Sequence, residues 1–423
     1  MLWQPSLPEE YLTATPEQLA ARIAQRRKQL GSDLVILGHH YQTDDVIRHA
    51  DFTGDSLKLS QLAAEKVAAQ KAKYVVFCGV HFMAETADLL TPEHVSVILP
   101  DMSAGCSMAD MADYDDALAA WDLIHTTLKT QGWSGRIIPI TYINSTAAIK
   151  AFVGKNGGIV CTSSNAARMF EWAMAGGTKL LRAGEGRRKQ DIKVLFLPDQ
   201  HLGRNTAAGF GMDVETDTCL YDPRRLARGE ALGGATAAQL ARARVILWAG
   251  HCSVHKLFRP EHCDQIRQAD ASLPTPDQTT ILVHPECSKE VVDKADLAGS
   301  TEYIIRTIRD AKPGSRWAVG TEVHLVNRLA KEAAHREAGG VHVRILSDCQ
   351  CLCTTMYRID QEHICWVLDN LAAGKVVNRV TVHPEARKWA LVAIERMLDL
   401  SKPIGTPPSN LRAERRKPPA LID

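Results

Sequence analysis

The sequence predicts an α/β protein with three similar domains, each a parallel sheet between layers of helices. Short runs rich in β-branched residues alternate with amphipathic segments, a pattern typical of βα units. This alternation recurs three times along the 423 residues, which indicates diverged repeats. Polar clusters follow the strands in every repeat. Because ligands bind at the carboxyl ends of parallel strands, we expect the three pseudo-symmetric domains to surround one central cavity.

Each repeat begins with a strand that ends in polar residues: "LVILGHHYQ" (34–42), "RIIPITYINS" (136–145) and "TILVHPECS" (280–288). A second strand then leads into a helix: "YVVFCGVHFMAETA", "GIVCTSSNAARMF" and "ADLAGSTEYIIRTI". The predicted third strands are "VSVILPD", "KVLFLPDQ" and "RWAVGTEVHL". Each repeat closes on a cysteine-bearing loop: "AGCSMAD", "WAGHCSVH" and "SDCQCLC".

These repeats predict domains over residues 1–130, 131–256 and 257–374. The segment 375–402, which includes the amphipathic stretch "HPEARKWALVAIERMLDLS", is expected to pack back on the first domain. The tail 403–423 is rich in proline and basic residues and is predicted to be disordered.

The composition favours a cytoplasmic enzyme. Fifty basic and 49 acidic residues give a net charge of +1, so charge provides no argument for nucleic acid or an anionic membrane as a partner. The longest apolar runs are no longer than strands, and the N-terminus lacks the pattern of a secretory signal.

The eleven cysteines do not resemble a disulfide framework, because their number is odd and Cys78 and Cys161 sit inside apolar runs. Cys106, Cys252 and the cluster from Cys349 to Cys353 instead follow predicted strands, one set in each repeat. Three thiolates from three loops could hold zinc with a water, or a [4Fe–4S] cluster with one open iron. Scattered buried thiols are the alternative.

Other polar residues at strand ends are candidates for proton transfer or for binding anions. Strand alternation pairs His39 with Tyr41 on one face and Tyr142 with Asn144 on another. A histidine and a carboxylate two residues apart suit proton transfer between carbon and oxygen atoms. His284 and Glu286 are a pair of this last kind. His255, which lies three residues after Cys252, is a further candidate.

Hydroxyl residues also stand at three predicted helix starts, where backbone N–H groups and the helix dipole favour carboxylates or phosphates. These residues are Ser56, Ser163 and the pair Ser300 and Thr301. Plain N-capping is the alternative for each. No glycine-rich dinucleotide or phosphate loop is visible, which argues against hydride transfer and nucleotide-driven phosphoryl transfer.

Taken together and in this order, the motifs "GHHYQ…ADFTGDSL", "VVFCGVHFMAETA", "AGCSMADM", "TYINS", "TSSNA", "GHCSVH", "HPEC" and "GSTEYI" resemble the quinolinate synthase family. The resemblance covers roughly residues 30–400 and is closest to the longer branch of the family. It implies three pseudo-symmetric α/β domains around a [4Fe–4S] cluster with three cysteine ligands. The implied reaction condenses iminoaspartate with dihydroxyacetone phosphate and yields quinolinate, phosphate and two waters, in de novo NAD biosynthesis.

The resemblance also implies roles for residues of this chain. The cluster ligands would be Cys106, Cys252 and Cys353, the last because "CTTMYRI" continues as the ligand loop of the family does. Glu286 would move protons, assisted by His284, Tyr41 or Tyr142. The implied substrate contacts are His39, Tyr41, Ser56, Tyr142, Asn144, Ser163, His255, His284, Glu286, Ser300 and Thr301. Functional coupling to L-aspartate oxidase or aspartate dehydrogenase, as the source of iminoaspartate, is a further expectation.

Some features have no assigned role. The stretch around 185–240 resembles an insertion, and Cys219 and Cys263 match no position of known function in the family. Cys349 and Cys351 are expected to be idle thiols rather than a redox pair, because a bridge across one residue would be strained. The rival functions are another [4Fe–4S] hydro-lyase acting on a hydroxy acid and a zinc-stabilised binding protein without enzymatic activity.

Overall fold

The computed structural model describes residues 3–177, 191–336, 339–348 and 351–401 and confirms the α/β class, with three sheets flanked by helices. The strands are β1 Leu34–His39, β2 Phe52–Gly54, β3 Tyr74–Cys78, β4 Ser96–Ile98, β5 Arg136–Tyr142, β6 Ile159–Cys161, β7 Ile192–Leu197, β8 Thr218–Tyr221, β9 Val245–Trp248, β10 Thr280–Val283, β11 Leu297–Ala298, β12 Arg316–Gly320, β13 His342–Ile345 and β14 Arg379–Val380. The helices are α1 Glu9–Leu12, α2 Pro16–Leu30, α3 Asp44–Ile47, α4 Ser56–Gln70, α5 His81–Leu90, α6 Ser107–Asp110, α7 Tyr114–Thr130, α8 Ala147–Lys155, α9 Ala166–Met174, α10 Gln200–Gly209, α11 Val214–Asp217, α12 Pro223–Ala227, α13 Ala237–Arg242, α14 Pro260–Ala269, α15 Lys289–Lys294, α16 Thr301–Arg309, α17 Val323–Ala334, α18 Gln361–Ala372 and α19 Pro384–Ser401.

The three sheets share one strand order. The first strand of each repeat lies inside its sheet, with the second strand on one side and the third and fourth strands on the other. The orders are β2-β1-β3-β4-β14, β6-β5-β7-β9-β8 and β11-β10-β12-β13. All pairings are parallel except that between β14 and β4. A shared order in three sheets supports the interpretation of the sequence as diverged repeats.

The prediction of the second and third strands in the first repeat was wrong, because the segments predicted as the second and third strands are in fact the third and fourth. The segment "YVVFC" is β3, the equivalent of β7 and β12, whereas the equivalent of β6 and β11 is the short β2. Strand β2 comprises only "FTG", of which Phe52 alone is a large apolar residue. So short a strand has no hydrophobic periodicity for a sequence pattern to detect.

Residues of the inner strands are buried on both faces. All six residues of β1 and all six of β7 are buried, as expected for parallel strands covered by helices on both sides. Many of the longer helices begin at residues whose side chains cap them. Asp113, for example, accepts a hydrogen bond from the backbone N–H of Asp115 at the start of α7.

The stretch predicted as an insertion extends the second sheet. Its part from residue 191 onward contains β7, which is the third strand of the second repeat, followed by α10, α11, β8, α12 and the start of α13. Strand β8 pairs in parallel with β9 as a fifth strand. Cys219 is buried within β8 and Cys263 within α14, so both pack as apolar side chains. Residues 185–190 of this stretch lie outside the described residues.

The C-terminal segment divides between two sheets. Strand β14 joins the first sheet through β4, as expected for residues that return to the first domain. Helix α19, in contrast, packs mainly against α8 and β6 of the second sheet. The backbone of α8 approaches it closely at Gly154, where a Cβ atom would lie 1.9 Å from the carbonyl oxygen of Trp389. The domain boundaries stay a prediction, and the tail 403–423 lies outside the described residues. None of the described helices is long and apolar enough to cross a membrane.

Candidate active site

The carboxyl ends of the strands in the three sheets border one central cavity with a volume of about 80 Å³. All the predicted site residues except Ser300 line it. Those residues are His39, Tyr41, Ser56, Cys106, Tyr142, Asn144, Ser163, Cys252, His255, His284, Glu286, Thr301 and Cys353. Residues that are far apart in the chain and belong to all three repeats therefore share one cavity.

Each repeat contributes one cysteine to the cavity. Cys106 follows β4, Cys252 follows β9 and Cys353 follows β13, which are the equivalent strands of the three sheets. Burial raises the pKa of the Cys106 thiol to about 12 and also raises the pKa values of the Cys252 and Cys353 thiols. The pKa of Cys252 is raised further by Glu286 and by the other two thiols. Without a cation, the thiolate forms are therefore disfavoured.

The cluster "CQCLC" is resolved into residues with different surroundings. Cys353 is partly exposed at the cavity wall, whereas Cys351 is fully buried in the core of the third sheet, with its Sγ 3.2 Å from Ser347 Oγ. Both residues lie in a loop, and of the two only Cys353 lines the cavity. Cys349 lies outside the described residues.

The donor set at the cavity fits a metal centre. Three sulfur donors suit zinc or an iron–sulfur cluster, and a bound cation would favour the thiolates that burial disfavours. Within the described residues, the metal-ligating atoms found within 4.8 Å of one another belong to Cys252, His255 and Glu286, not to the three cysteines. The cavity therefore contains donors that fit a metal site.

Glu286 is the buried carboxylate of the cavity. Its Oε2 lies 3.0 Å from Nδ1 of His255, and its Oε1 lies 3.7 Å from Nδ1 of His284. The two imidazole rings stack with centroids 4.5 Å apart. Burial alone would raise the pKa of Glu286, but the nearby histidines, His255 also by its hydrogen bond, together with Tyr142 lower it to about 2. The carboxyl group is therefore ionised at neutral pH.

A helix of the second sheet holds the turn that carries Glu286. The amide nitrogen Nδ2 of Asn205, on α10, donates to the carbonyl oxygens of Pro285 and Cys287, both at 2.9 Å. Asn205 is buried, and these bonds fix the residues on either side of Glu286. The sequence motifs gave no indication of this contact across about 80 residues.

Two cavity histidines are held as neutral donors. The backbone N–H of Tyr41 donates to Nδ1 of His39 (3.1 Å), and that of Glu286 donates to Nδ1 of His284 (3.3 Å). Burial lowers the pKa of each histidine to about 3. Since Nδ1 accepts in both rings, the proton resides on Nε2, which can donate to an anion or carbonyl oxygen. His40, in contrast, lies outside the cavity lining, where its Nε2 is 3.1 Å from Glu302.

The second repeat contributes a tyrosine and an asparagine. Tyr142 lies beside Glu286 and Ser163 in the cavity wall, and burial, followed by the charge of Glu286, raises its pKa well above the ordinary value. Asn144 has a buried Oδ1 without a hydrogen-bond partner among the described residues. A buried acceptor without a partner is costly, so this atom is suited to accept a hydrogen bond from a bound molecule.

The hydroxyl residues at the helix starts differ in their surroundings. Ser56 and Thr301 are the first residues of α4 and α16 and line the cavity, whereas the hydroxyl of Ser300 accepts a hydrogen bond from the backbone N–H of Tyr303 as an N-cap. The capping alternative therefore describes the Ser300 contact. Its substrate-binding role stays a prediction.

Thr321 is a residue at the site that the motifs missed. It follows β12, is fully buried, and its Oγ1 lies 3.0 Å from the Tyr41 hydroxyl and 3.1 Å from Nε2 of His255. The available signal was its polar side chain directly after a predicted strand, the same criterion that identified His284.

Comparisons with known proteins agree with these observations. The family model described as quinolinate synthetase A protein matches residues 21–399. A relative named quinolinate synthase from Acidobacterium capsulatum is 49% identical over 392 residues, which is 93% of this chain and 95% of the relative. Relatives of the same name from Rhodopirellula baltica and Geobacillus thermodenitrificans are each 48% identical, over 92% and 94% of this chain and 92% and 97% of their own lengths.

Proposed function

The chain belongs to the quinolinate synthase A family, and we propose that it condenses iminoaspartate with dihydroxyacetone phosphate to form quinolinate, phosphate and two waters. The observation that carries the proposal is the convergence of one thiol from each sheet on a cavity that also contains Glu286 and two neutral histidines.

We assign the cofactor as a [4Fe–4S] cluster held by Cys106, Cys252 and Cys353. The soft donor set of three thiols, one from each repeat, and the membership of the family support this assignment. When bound with one iron free of protein ligands, the cluster would supply a Lewis acid that assists dehydration.

The cavity residues supply donors and acceptors for a substrate with several anionic groups. The Nε2–H groups of His39 and His284 can donate to carboxylate or phosphate oxygens, and the unpartnered Oδ1 of Asn144 can accept from an imine or hydroxyl. The hydroxyl groups of Ser56, Ser163 and Thr301 line the same space and can donate to further oxygens.

Glu286 is the residue proposed to move protons, with His284, Tyr41 and Tyr142 assisting. In the protein alone its pKa of about 2 makes it a weak base. Two substrate carboxylates and a phosphate would bring like charges into the cavity, and like charges raise the pKa of a carboxyl group. Substrate binding would therefore convert Glu286 into a stronger base at the moment a proton must be removed.

The decisive experiment is anaerobic purification, iron and sulfide analysis, and an assay for quinolinate from iminoaspartate and dihydroxyacetone phosphate. Glu286→Gln should abolish turnover and leave the cluster absorbance intact. Glu261→Gln, on the exposed surface of α14, is the matched control and should behave as the wild type. A colourless, zinc-loaded protein that makes no quinolinate would refute the proposal.

Another [4Fe–4S] hydro-lyase would form its product without dihydroxyacetone phosphate, so an assay that omits this substrate separates the two functions. A zinc-stabilised binding protein would turn over neither substrate. We further propose a cytoplasmic location and a supply of iminoaspartate by L-aspartate oxidase or aspartate dehydrogenase, since an imine of this kind hydrolyses in water and must be consumed soon after it forms.

A further inference from the structure

Arg328 of α17, in the third repeat, is hydrogen-bonded to the turn that follows β1 in the first repeat. Its Nη1 donates to the carbonyl oxygen of His40 at 3.0 Å, and its Nη2 donates to that of Gln42 at 2.6 Å. Its Nε donates to Oδ1 of Asp44 at 3.0 Å. The side chain is only 16% exposed, so most of its surface is covered by these contacts. One guanidinium group therefore holds the backbone on both sides of Tyr41.

The turn places two residues of the cavity. The hydroxyl oxygen of Tyr41 lies 3.2 Å from Thr301 Oγ1 and 3.0 Å from Thr321 Oγ1, both in the third repeat. The backbone N–H of Tyr41 donates to Nδ1 of His39 at 3.1 Å, so the same turn orients that imidazole ring. Release of the turn from Arg328 would therefore displace a phenol and an imidazole together.

The same kind of contact is found at the equivalent position of the second repeat. Arg328 is the sixth residue of α17 and Asn205 is the sixth residue of α10, and each helix follows the third strand of its repeat. Asn205 donates to the two carbonyl oxygens that flank Glu286. Glu286 is the equivalent of Tyr41, since each is the second of two cavity residues after a first strand. A contact that recurs at equivalent positions in two pairs of repeats indicates a role in placing the strand ends.

The turn of the second repeat is held differently. The sixth residue of α5, Thr86, donates to the carbonyl oxygen of Phe82 in its own helix at 2.8 Å. The carbonyl oxygen of Ser145, directly after Asn144, accepts a hydrogen bond from Nζ of Lys150 in the same repeat. A bond within the repeat therefore replaces the contact between repeats.

We propose that Arg328 is a positioning residue that places Tyr41 and His39 for the reaction. A planar guanidinium group donates in several fixed directions at once, and the ammonium group of lysine lacks this fork. Arg328 is not among the residues that line the cavity, so it acts through the turn and not on the substrate. The inference rests on the proposed function for its kinetic consequences only, since the hydrogen bonds exist in the protein alone.

Two variants of Arg328 test the proposal. Arg328→Met removes all three bonds, whereas Arg328→Lys keeps the charge and the aliphatic stem but not the fork. We expect kcat/KM to fall by about 10–100-fold in both variants, since a misplacement of about 1 Å can slow a reaction that much. Iron content per chain should equal that of the wild type, because none of the three bonds involves a cysteine loop.

Two control variants separate the bonds to the carbonyl oxygens from the ion pair. Asp44→Ala removes the charged partner of Nε and leaves both carbonyl bonds of Arg328 in place. Lys331→Met removes the other cation on Asp44, whose Oδ2 lies 3.0 Å from Nζ of Lys331. Both controls should keep kcat/KM within about threefold of the wild type, since exposed ion pairs contribute little.

Hydrogen–deuterium exchange of the purified protein provides a readout that does not depend on turnover. In Arg328→Met and Arg328→Lys, a peptide that covers residues 40–42 should exchange about tenfold faster than in the wild type, because the turn opens more often. A peptide that covers residues 284–287 should be unchanged. Asp44→Ala and Lys331→Met should exchange like the wild type in both peptides.

Wild-type kcat/KM in Arg328→Lys would overturn the proposal, because the fork would then not be needed. An Asp44→Ala variant as slow as Arg328→Met would also overturn it, because the ion pair and not the carbonyl bonds would matter. Unchanged exchange of residues 40–42 in the Arg328 variants would do the same. If Arg328→Met does not fold, Arg328→Lys provides the same comparisons. If the wild type forms no quinolinate, the proposed function fails, and the exchange measurement alone decides the role of Arg328.

Discussion

Asn205 provides a test of how Glu286 is positioned, because its amide group is the link between α10 and the turn that carries the carboxylate. Asn205→Ala removes two hydrogen bonds to the carbonyl oxygens of Pro285 and Cys287. Each such bond contributes about 0.5–1.5 kcal/mol net, so the free energy of unfolding should fall by about 1–3 kcal/mol. With the turn released, kcat should fall as well, since misplacement of a proton-transferring group slows the reaction.

Asn205→Asp is the more discriminating variant. A carboxylate has nearly the shape of the amide, but it would present oxygen atoms to two carbonyl oxygens that can only accept. Burial adds the cost of an unpaired charge. We therefore expect Asn205→Asp to lose more stability than Asn205→Ala at neutral pH, although it changes fewer atoms.

Urea denaturation and steady-state kinetics measure both effects. The control is Asn370→Ala on α18, where the side chain donates to one carbonyl oxygen, that of Trp366, at 2.8 Å. It should leave kcat unchanged. Wild-type stability and kcat in Asn205→Asp would show that Asn205 does not donate to the turn, and the explanation given for the placement of Glu286 would be wrong.

Three further predictions concern the metal centre and the charge of Glu286. Cys353→Ser should lose most of its iron, whereas Cys351→Ser, which alters only a core thiol, should keep it; the reverse result in an iron assay would exchange their roles. Arg358, near the loop of Cys353, donates from Nε to Oδ2 of Asp101 (3.1 Å), near the loop of Cys106. Arg358→Ala should therefore shorten the half-life of the cluster in air, and an unchanged decay of its absorbance would contradict this. The folded pKa of Glu286, about 2, lies below the ordinary 4.5, because the histidines outweigh the effect of burial. The carboxylate therefore stabilises the fold above about pH 5. The difference in the free energy of unfolding between metal-free wild type and Glu286→Gln should shrink as pH falls from about 5 to about 2. A constant difference would show that the pKa of Glu286 is not lowered.

The α/β class and the candidate residues at the strand ends could be predicted from local signals: apolar runs of strand length, and polar residues directly after them. The choice of Cys353 within its cluster came from the resemblance to the family. Parallel topology then brings the strand ends to one side of each sheet, so that residues such as His39 and His284 meet without any direct sequence relation.

Contacts between repeats could not be predicted. The bond from Thr321 to Tyr41 joins residues 280 positions apart, and that from Asn205 to Pro285 joins residues 80 apart. No local spacing encodes such pairs, because they depend on how the sheets pack. The missed strand β2 has a related cause: three residues with one large apolar side chain, Phe52, produce no periodic signal.

The strand ends also explain how repeats of one design can produce an asymmetric site. The first strand of each repeat delivers two cavity residues at positions i and i+2: His39 and Tyr41, Tyr142 and Asn144, His284 and Glu286. In the first and third repeats, Nδ1 of the histidine accepts the backbone N–H of residue i+2, which fixes a neutral ring with its proton on Nε2.

Tyrosine has no ring nitrogen that could accept this bond, so the second repeat departs from the pattern at Tyr142. It instead lies beside Glu286 and Ser163. At position i, the second repeat therefore places the phenol of Tyr142 next to Glu286, whereas the other two repeats have a histidine there. The variant His284→Asn, whose side-chain oxygen can accept the N–H of Glu286, should preserve the turn better than His284→Leu, and measured stabilities in the opposite order would contradict this account of the strand ends.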